Sequence, residues 1–488
     1  MNAKRYPPGP KSRFPLDLLV RFRSDRLGFL LDLASYGDVS HLALQGRHFY
    51  LLNHPDLIQD VLVTNDRLFV KSRALQVARR LLGEGLLTSE GDFHLRQRRL
   101  VQPAFHRQRM AAYGEVMAAY AARSSERWSA QGDALTVDMA EEMMRLTLAI
   151  VGKTLFDADV EGEAQEIGQS LTEALHGLSR TLLPGGEMVE KLPLPANQRA
   201  EEARQRLDAT IYRLIRERRA SGEDRGDLLS MLLAARDEDE SEATARSEDN
   251  SARLSWEPAS QGPQSSLLTP RSSLATPRSP QLGMTDQQVR DEAMTLFLAG
   301  HETTANALTW TWYLLSQNSV EERQLHAEVD RVLGGRLPTM DDVPNLPYTR
   351  MVLSEAMRLC PPVYAIGRQA VEDYEVRGYV LPAGSTVFVS QYVMHRDSRY
   401  WFDAERFDPN RWTPEAQARR PKFTYFPFSA GPRVCIGESF AWTEGILVLA
   451  TLAQRWQARL VLGHPVMPEP LITLRPKFGM RMTLHERK

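Results

Sequence analysis

Apolar residues recur at helical spacing from about residue 107 to residue 235. Within this stretch, hydrophobic positions are separated by charged and polar ones. One apolar face consists of Leu207, Ile211, Leu214 and Ile215, at positions i, i+4, i+7 and i+8. This spacing places the four side chains on one side of a helix, so the pattern predicts a series of amphipathic helices.

A further long helix is predicted downstream. It starts at Thr285-Asp-Gln-Gln288, which has the S/T-x-x-Q form of a capping box, and an apolar run begins soon after. We expect this helix to reach about Leu315. The stretch from Thr303 to Val320 carries no charge but contains several polar residues. A buried core helix therefore explains it better than a membrane span.

Shorter stretches alternate between apolar and polar residues, as strands do. Residues 38–52 alternate on both sides of a Gln-Gly-Arg turn and predict a β-hairpin. In the C-terminal third, short strands are predicted at Tyr374-Glu-Val-Arg and Ser385-Thr-Val-Phe-Val. The expected fold class is therefore mainly α with a small β region.

Residues 236–283 interrupt this order. Their composition becomes acidic and then rich in Ser, Pro and Gln, with few large apolar residues. Residues 265–271 are duplicated at once in residues 272–278, with one difference. Two short copies do not make a solenoid. We expect a disordered or loosely attached Ser/Pro-rich insertion that acts as a spacer before the long helix, with a docking or phosphorylation segment as the alternative.

Charge and cysteine usage exclude several classes of protein. The chain has 60 basic and 62 acidic residues, so no overall field favours nucleic acid. The N-terminus offers no apolar region for a signal peptide and no membrane span. The two cysteines, Cys360 and Cys435, suggest no disulfide framework and suit a reducing cytosol. We therefore expect a soluble, cytoplasmic protein that binds no nucleic acid.

Cys435 lies in a short loop bracketed by glycines, Phe428-Ser-Ala-Gly431-Pro-Arg433-Val-Cys435-Ile-Gly437. A helix is predicted directly after the loop, and its unpaired N–H groups and positive dipole end favour a Cys435 thiolate. The two glycines allow positive φ values and the close approach of a flat cofactor. Arg433 is within reach of an anionic group on that cofactor. The alternatives are a buried, inert thiol and a hydrolase nucleophile.

This loop resembles the haem-binding loop of the cytochrome P450 family, whose pattern F-x-x-G-x-R-x-C-x-G it matches at every specified position. The resemblance implies haem b with the Cys435 thiolate as the axial ligand of its iron. The other cofactor-binding residues of the loop would be Phe428, Gly431, Arg433 and Gly437. The implied fold is that of a P450, a single domain over residues 1–488 with a long central helix over the haem and the cysteine loop on the opposite face.

A second resemblance lies in the predicted long helix, at Ala299-Gly300-His-Glu302-Thr303-Thr. In the family this segment activates oxygen, which implies Glu302 and Thr303 as catalytic residues. The small Ala299-Gly300 pair leaves room for a diatomic ligand. The Thr303 hydroxyl can leave the i−4 carbonyl, open a local bulge and donate toward dioxygen, while Glu302 relays protons. Position 305 is Ala, so the H-E-x-x-H zinc motif is absent.

Glu355 and Arg358 form an E-x-x-R pair, three residues apart on a predicted helix. In the family, an arginine from a later loop joins this pair, and the resemblance implies Arg406 in Ala-Glu-Arg-Phe as that third partner. The implied role of the triad is structural. It would fix the haem-side fold and help to load the cofactor, without a direct part in catalysis.

Further basic residues are implied as anchors for the haem propionates. His94 and Arg98 lie four apart on a predicted helix and face the same way, and Arg368 matches a further propionate-binding arginine. For each, a solvated surface charge is the alternative. Nearby cations correspond to the face on which relatives dock an acidic electron carrier. They are Arg96, Arg99, Arg107 and Arg109.

The resemblance implies a haem-thiolate monooxygenase that inserts one oxygen atom from O2 into a C–H bond of a lipophilic small molecule. The alternatives are a haem peroxygenase and a non-catalytic haem-based ligand-binding or sensor protein. Glu302 and Thr303 argue against both, since neither needs a relay that protonates oxygen. The chain ends 53 residues after Cys435 without a fused flavin or nicotinamide domain. We therefore expect a separate electron donor, a ferredoxin or flavodoxin with its NAD(P)H reductase.

By family position, a set of apolar residues lines the substrate pocket and includes no evident charged anchor. The set is Leu86, Leu87, Leu296, Ala299, Val363, Ala365 and Ile366. An apolar pocket favours a lipophilic substrate, for which a fatty acid, a terpenoid and a carotenoid are the candidates.

Overall fold

The computed structural model describes most of the chain outside the Ser/Pro-rich insertion. The described residues are 6–12, 17–44, 46–132, 134–158, 164–181, 186–190, 192–234 and 284–487. The prediction for residues 236–283, including the seven-residue duplication, lies outside the described residues.

Helices make up most of the described chain. In the first half they are α1 (Asp17–Ser24), α2 (Arg26–Ala34), α3 (Pro55–Gln59), α4 (Arg73–Leu82), α5 (Gly91–Val101), α6 (Arg107–Ser129), α7 (Met139–Phe156), α8 (Ala164–Thr181), α9 (Gly186–Glu190), α10 (Pro195–Ser221) and α11 (Leu228–Ala234). In the second half they are α12 (Asp286–Gln317), α13 (Ser319–Leu333), α14 (Pro347–Leu359), α15 (Gln391–Met394), α16 (Pro414–Ala418) and α17 (Glu438–Ala453). The helical prediction for the stretch from residue 107 is confirmed by α6 to α11.

The strands form small sheets beside the helices. They are β1 (Val39–Leu44), β2 (Arg47–Leu52), β3 (Phe69–Lys71), β4 (Leu135–Asp138), β5 (Ile366–Ala370), β6 (Tyr374–Val376), β7 (Tyr379–Leu381), β8 (Thr386–Val389), β9 (Trp456–Leu460), β10 (Pro468–Pro470), β11 (Leu474–Pro476) and β12 (Arg481–Glu486). The predicted hairpin is confirmed, since β1 and β2 pair antiparallel from Val39 opposite Leu52 to Leu44 opposite Arg47. The strands predicted near Tyr374 and Ser385 are β6 and β8.

The largest sheet has the strand order β1-β2-β8-β5-β3. Its β2–β8 pair is parallel, whereas β5 runs antiparallel to both β8 and β3. A three-stranded sheet has the order β4-β12-β9, and two hairpins are formed by β6-β7 and β10-β11. Together with the helices, these sheets confirm a mainly α fold with a small β region.

Helix α12 passes through the core and carries the predicted oxygen-activating segment. Both arms of its capping box are present. The Gln288 N–H donates to Thr285 Oγ1 at 3.2 Å, and the Thr285 N–H donates to Gln288 Oε1 at 2.9 Å. The helix packs against α7, α10 and α14, which explains why even polar residues along it are buried.

The main hydrophobic core joins the central helices, including Leu148 on α7, Leu308 on α12 and Leu447 on α17, which are fully buried. A second cluster under the large sheet includes Tyr50, Phe69 and Val387. Across the described ranges, no helix combines the length and the apolar character that crossing a membrane requires.

Candidate active site

The Cys435 loop is held in shape by its own backbone. A 3-10 turn at Gly431–Arg433 precedes the cysteine, the Cys435 N–H donates to the Phe428 carbonyl at 3.0 Å, and α17 begins three residues later. The Cys435 side chain is solvent-accessible although it lies deep among protein atoms. An accessible sulfur at the start of a helix contradicts a packed, inert thiol.

Burial raises the pKa of the Cys435 thiol, and the charge of Glu438 adds to this effect. The Gly437 N–H and the Arg98 guanidinium act in the opposite direction. The prediction that the helix start favours the thiolate has the right sign, but burial outweighs it. A cation bound at the sulfur would favour the thiolate, as a metal ion does for a coordinating thiol.

The two glycines of the loop differ in their roles. Gly431 has φ +70°, and a Cβ there would lie 2.1 Å from the Leu62 carbonyl oxygen, so only glycine fits. Gly437 has φ −90°, which corrects the prediction of a positive φ at that position. The second positive φ of the loop belongs to Ser429, at 65°. A Cβ on Gly437 would meet Phe105 only at 3.8 Å, which leaves open space on that side.

Basic side chains from separate elements converge beside this loop. His94 from α5, Arg368 from β5 and Lys71 from β3 are all buried, and Arg98 donates from Nη1 to the Val434 carbonyl at 2.9 Å. Arg433 donates to the Phe69 carbonyl at 3.0 Å and to Glu90 Oε2 at 3.2 Å. The structure therefore brings together the predicted anchors His94, Arg98, Arg368 and Arg433, and it adds Lys71.

Burial and mutual repulsion lower the pKa values of this basic cluster. Burial, together with repulsion by Arg433, lowers the pKa of Arg368 to about 10. The same two effects lower the pKa of Lys71 to about 7, although the charge of Glu90 partly opposes them. They lower the pKa of His94 to about 4. Buried cations without equivalent counter-ions are costly, and carboxylates offset that cost.

Two of these groups retain free hydrogen-bonding atoms. His94 Nε2 and Arg368 Nε are buried and have no hydrogen-bond partner among the residues that the structure describes. His94 Nδ1 is already used by the Ser89 hydroxyl at 3.2 Å. Unpaired donors amid excess positive charge fit the two propionates of a haem, so the residues present suit that cofactor.

Sequence reasoning missed Lys71 and Glu90. Lys71 Nζ donates to the Leu86 carbonyl at 2.8 Å and to the Ser89 carbonyl at 2.5 Å. Glu90 Oε2 accepts the hydrogen bond from Arg433 at 3.2 Å. A lysine in an apolar strand was the available signal for Lys71, since such a residue is rarely buried without a purpose.

One side of α12 contains residues that are more exposed to solvent than the rest of the helix. Ala299 is exposed and Thr303 is half-buried, whereas most of the surrounding helix is buried. The Thr303 hydroxyl donates to the Ala299 carbonyl at 2.6 Å, and α12 is α-helical throughout. The predicted bulge, with the hydroxyl turned away from the i−4 carbonyl, is therefore wrong.

Gly300 serves helix packing. A Cβ at Gly300 would lie 3.0 Å from Val151 Cγ2 on α7, so the missing side chain lets α12 approach α7 closely. This corrects the prediction that both residues of the Ala299-Gly300 pair make room for a diatomic ligand. Only Ala299 lies on the exposed side.

Glu302 is buried, and its Oε1 accepts a hydrogen bond from Thr473 Oγ1 at 2.6 Å. Burial raises the pKa of Glu302, while the Thr473 hydroxyl and the Arg475 charge lower it. The neighbouring His301 is neutral, since burial lowers its pKa to about 4. Within the described ranges, no three His, Cys, Asp or Glu side chains are grouped as a metal site.

The structural triad contains Arg411 in place of the predicted Arg406. Glu355 and Arg358 are fully buried and pair at 2.8 Å, and Arg411 Nε donates to Glu355 Oε1 at 3.2 Å. Trp412 Nε1 donates to Glu355 Oε2 at 3.0 Å. Arg406 is exposed and contributes only its backbone carbonyl, which accepts from Arg358 at 3.1 Å. Both arginines precede an aromatic residue, so local sequence did not separate them.

The predicted pocket residues come from three segments of the chain. Leu86 and Leu87 lie between α4 and α5, Leu296 and Ala299 lie on α12, and the remaining three, Val363, Ala365 and Ile366, lie before and in β5. Leu87, Val363, Ala365 and Ile366 are half-buried, while Leu86 and Leu296 are buried.

Glu292 is a polar group that sequence reasoning missed beside this set. It lies four residues before Leu296 on α12, and its Oε2 accepts the Leu86 N–H at 3.0 Å. Burial raises the pKa of Glu292 to about 8. Residues 292, 296, 299 and 303 follow helical spacing, and this periodicity was the signal that would have placed Glu292 on the pocket side.

Comparisons with known proteins agree with this geometry. The family model described as Cytochrome P450 matches residues 18–257 and 265–480. Cyclooctatin synthase from Streptomyces melanosporofaciens is 40% identical over 451 residues, which covers 92% of this chain and 89% of that protein. Cyclooctat-9-en-7-ol 5-monooxygenase from the same organism is 35% identical over 441 residues, 90% of this chain and 86% of that protein.

Two further likenesses extend over nearly the whole chain. Pentalenene oxygenase from Streptomyces avermitilis is 33% identical over 464 residues, which covers 94% of this chain and 93% of that protein. The crystal structure of the cytochrome P450DA heme domain superposes with a TM-score of 0.82 at 25% identity, covering 100% of this chain and 99% of that chain.

The corrected triad gives a direct prediction. Arg411→Ala removes a donor from the buried Glu355 carboxylate, and we expect the free energy of unfolding to fall by about 1–3 kcal/mol. Arg406→Ala leaves the backbone carbonyl in place and should change it by less than about 0.5 kcal/mol. Urea unfolding of both variants measures the difference, and an equal loss in the two would contradict the assignment.

Replacing a cation of the basic cluster should not weaken the apoprotein, but it should weaken the binding of haem. Arg368→Gln removes a repelled, buried cation, so the apoprotein should be at least as stable as wild type to urea. The haem-loaded variant should lose haem to apomyoglobin about tenfold faster or more, because a propionate partner is gone. Arg99→Gln, at an exposed position on α5, is the control. Equal haem loss in both variants would argue against a propionate contact at Arg368.

Proposed function

The chain belongs to the cytochrome P450 family, and from this premise we propose that it hydroxylates a cyclic terpenoid. It is a haem-thiolate monooxygenase that inserts one oxygen atom from O2 into a C–H bond of a lipophilic small molecule. The balanced reaction is RH + O2 + 2 e⁻ + 2 H⁺ → ROH + H2O. When bound, the haem supplies the iron chemistry that activates dioxygen.

We assign the binding of the cofactor to the Cys435 loop and the basic cluster. Cys435 would supply the thiolate that binds the haem iron, through its accessible sulfur. The basic residues Arg98, Arg368, Arg433 and Lys71, together with the neutral imidazole of His94, would hold the two propionates. The observation that carries this assignment is the excess of buried positive charge beside an accessible thiol, because the described protein groups offset it only in part.

We assign proton supply to two residues of α12. Thr303 faces the exposed side of the helix, and its hydroxyl can hold a proton near the reacting centre. Glu302 is a buried acid on the same helix, and burial raises its pKa. A carboxyl group in this position is a candidate proton donor. This pair favours a monooxygenase over a peroxygenase, since peroxide already brings its oxygen at the required oxidation level and with its protons.

The substrate class rests on the relatives and on the pocket. The names of three relatives refer to cyclooctatin, cyclooctat-9-en-7-ol and pentalenene. The pocket residues that we propose are Leu86, Leu87, Leu296, Ala299, Val363, Ala365 and Ile366, all apolar. Rigid polycyclic hydrocarbons suit such walls, because shape and buried area determine their binding.

We propose that electrons come from a ferredoxin or flavodoxin with its NAD(P)H reductase, in the cytoplasm. The family implies a redox partner. Arg99 and Arg107 are exposed and Arg96 and Arg109 half-buried on or beside α5 and α6, and they form a basic patch for an acidic carrier. Both cysteines are free, which suits a reducing compartment.

Carbon monoxide binding tests the cofactor assignment. The reduced wild-type protein with carbon monoxide should show the thiolate-shifted Soret band of a P450. Cys435→Ser should lose that band, while Cys360→Ser should keep it. A wild-type protein that binds haem without this band would overturn the assignment of Cys435.

Ligand-induced spin-state shifts test the substrate class. Cyclic sesquiterpene and diterpene hydrocarbons or alcohols should produce a high-spin shift, and the best of them should bind at least about tenfold more tightly than a fatty acid of equal carbon number. Turnover with a surrogate ferredoxin and reductase should then yield a hydroxylated product. A preference for fatty acids would refute the terpenoid assignment. Faster turnover with hydrogen peroxide than with O2 and the electron donor would favour the peroxygenase.

A further inference from the structure

One face of α12 is tied to the turn between β10 and β11. Asn306 Nδ2 donates to Thr473 Oγ1 at 3.2 Å, and Thr473 Oγ1 donates to Glu302 Oε1 at 2.6 Å. One turn further along, Trp310 Nε1 donates to the Leu474 carbonyl at 3.0 Å. Glu302, Asn306 and Trp310 are spaced by four residues, so they share one stripe of the helix.

The turn that carries Thr473 is also fixed from its other side. The Leu474 N–H donates to the Pro362 carbonyl at 2.9 Å, and the Tyr364 hydroxyl donates to the Leu471 carbonyl at 2.8 Å. Thr473 itself is 5% exposed. A hydroxyl in such a position has little freedom to move, so its place relative to α12 is set by the backbone.

The hydrogen bonds have a direction. Asn306 donates to the Thr473 oxygen, so the hydroxyl proton of Thr473 is left for Glu302 Oε1. A carboxyl oxygen that accepts a hydrogen bond serves best as the carbonyl-like oxygen of the protonated acid. When Glu302 is protonated, this arrangement leaves Oε2 to hold the proton.

We propose that Thr473, oriented by Asn306, is a positioning residue for Glu302 that fixes which carboxyl oxygen delivers the proton. This inference rests on the proposed function, in which Glu302 supplies protons. Thr473 lies 171 positions from Glu302 and acts through it without contacting the reacting centre. Its contribution is orientation, since a misplaced acid loses much of its rate advantage.

The charges near Glu302 agree with this role. Burial raises the pKa of Glu302, and the Thr473 hydroxyl and the Arg475 guanidinium oppose this. Arg475 is itself held by Glu469 at 3.4 Å and contacts His176 on α8. The Thr473 hydroxyl therefore both orients the Glu302 carboxyl and opposes the effect of burial on its pKa.

The test compares Thr473→Val, which keeps the shape and removes the hydroxyl, with Thr473→Ser, which keeps the hydroxyl. In the haem-loaded enzyme driven by O2 and a surrogate electron donor, Thr473→Val should lower the product formed per electron pair by about tenfold. Thr473→Ser should recover most of it. Asn306→Ala, which removes only the orienting donor, should give an intermediate loss. Thr311→Val, which removes a buried hydroxyl bonded to the Ala307 carbonyl, is the matched control and should resemble wild type.

Hydrogen peroxide separates positioning from damage to the fold. Peroxide supplies oxygen with its protons, RH + H2O2 → ROH + H2O, so peroxide-driven product formation by Thr473→Val should stay within about twofold of wild type. Infrared difference spectra against Glu302→Gln should also show the Glu302 carboxyl band moving to higher frequency in Thr473→Val, because its carbonyl oxygen has lost a donor.

An equal loss with O2 and with peroxide would overturn the positioning role in favour of a structural one. An unmoved carboxyl band would also overturn it. If Glu302→Gln lowers the yield with O2 while Thr473→Val does not, the proton role of Glu302 stands and the inference about Thr473 fails. If Glu302→Gln changes nothing, the proton role of Glu302 fails, and the inference about Thr473 fails with it.

Discussion

The active site depends on a concentration of buried positive charge beside Cys435. Arg368, Arg433, Lys71 and Arg98 carry this charge and come from different elements, and the neutral His94 lies beside them. Burial and repulsion lower the pKa values of Arg368, Lys71 and His94. This repulsion lowers the stability of the protein without cofactor, and the binding of an anionic cofactor offsets it. The same charges that weaken the empty arrangement therefore provide specificity for a group with two carboxylates, and binding stabilises the fold that creates the site.

Helix α12 has three different surroundings, because an α-helix has 3.6 residues per turn and successive side chains point in different directions. Ala299 and Thr303 face the accessible side, Gly300 lies against Val151 of α7, and Glu302 begins the stripe that bonds the β10–β11 turn. Adjacent residues of one short motif thus have separate physical functions. Substitutions at neighbouring positions of the helix would fail for different reasons, by blocking the accessible side, separating two helices or misplacing an acid.

Features determined by local sequence were predictable, and contacts across the chain were not. The hairpin of residues 38–52, the capping box at Thr285 and the loop around Cys435 are encoded within a few residues. The choice of Arg411 over Arg406 depends on which arginine reaches the buried Glu355, and both precede an aromatic residue. Lys71, Glu292 and Thr473 act through partners distant in sequence. Local patterns single out Lys71 and Glu292 but do not show which groups they contact, and no local pattern marks Thr473.

Two acids on α12 show how surroundings divide roles between identical side chains. Burial raises the pKa of both Glu292 and Glu302. Glu292 has a pKa of about 8, so it is mostly protonated at neutral pH, and its Oε1 has no hydrogen-bond partner in the part of the chain that the structure describes. Glu302 accepts a hydrogen bond from the Thr473 hydroxyl and lies near the positive charge of Arg475, and both favour its ionised form. An acid that must cycle between protonation states needs such compensation, whereas an acid that only stays neutral does not.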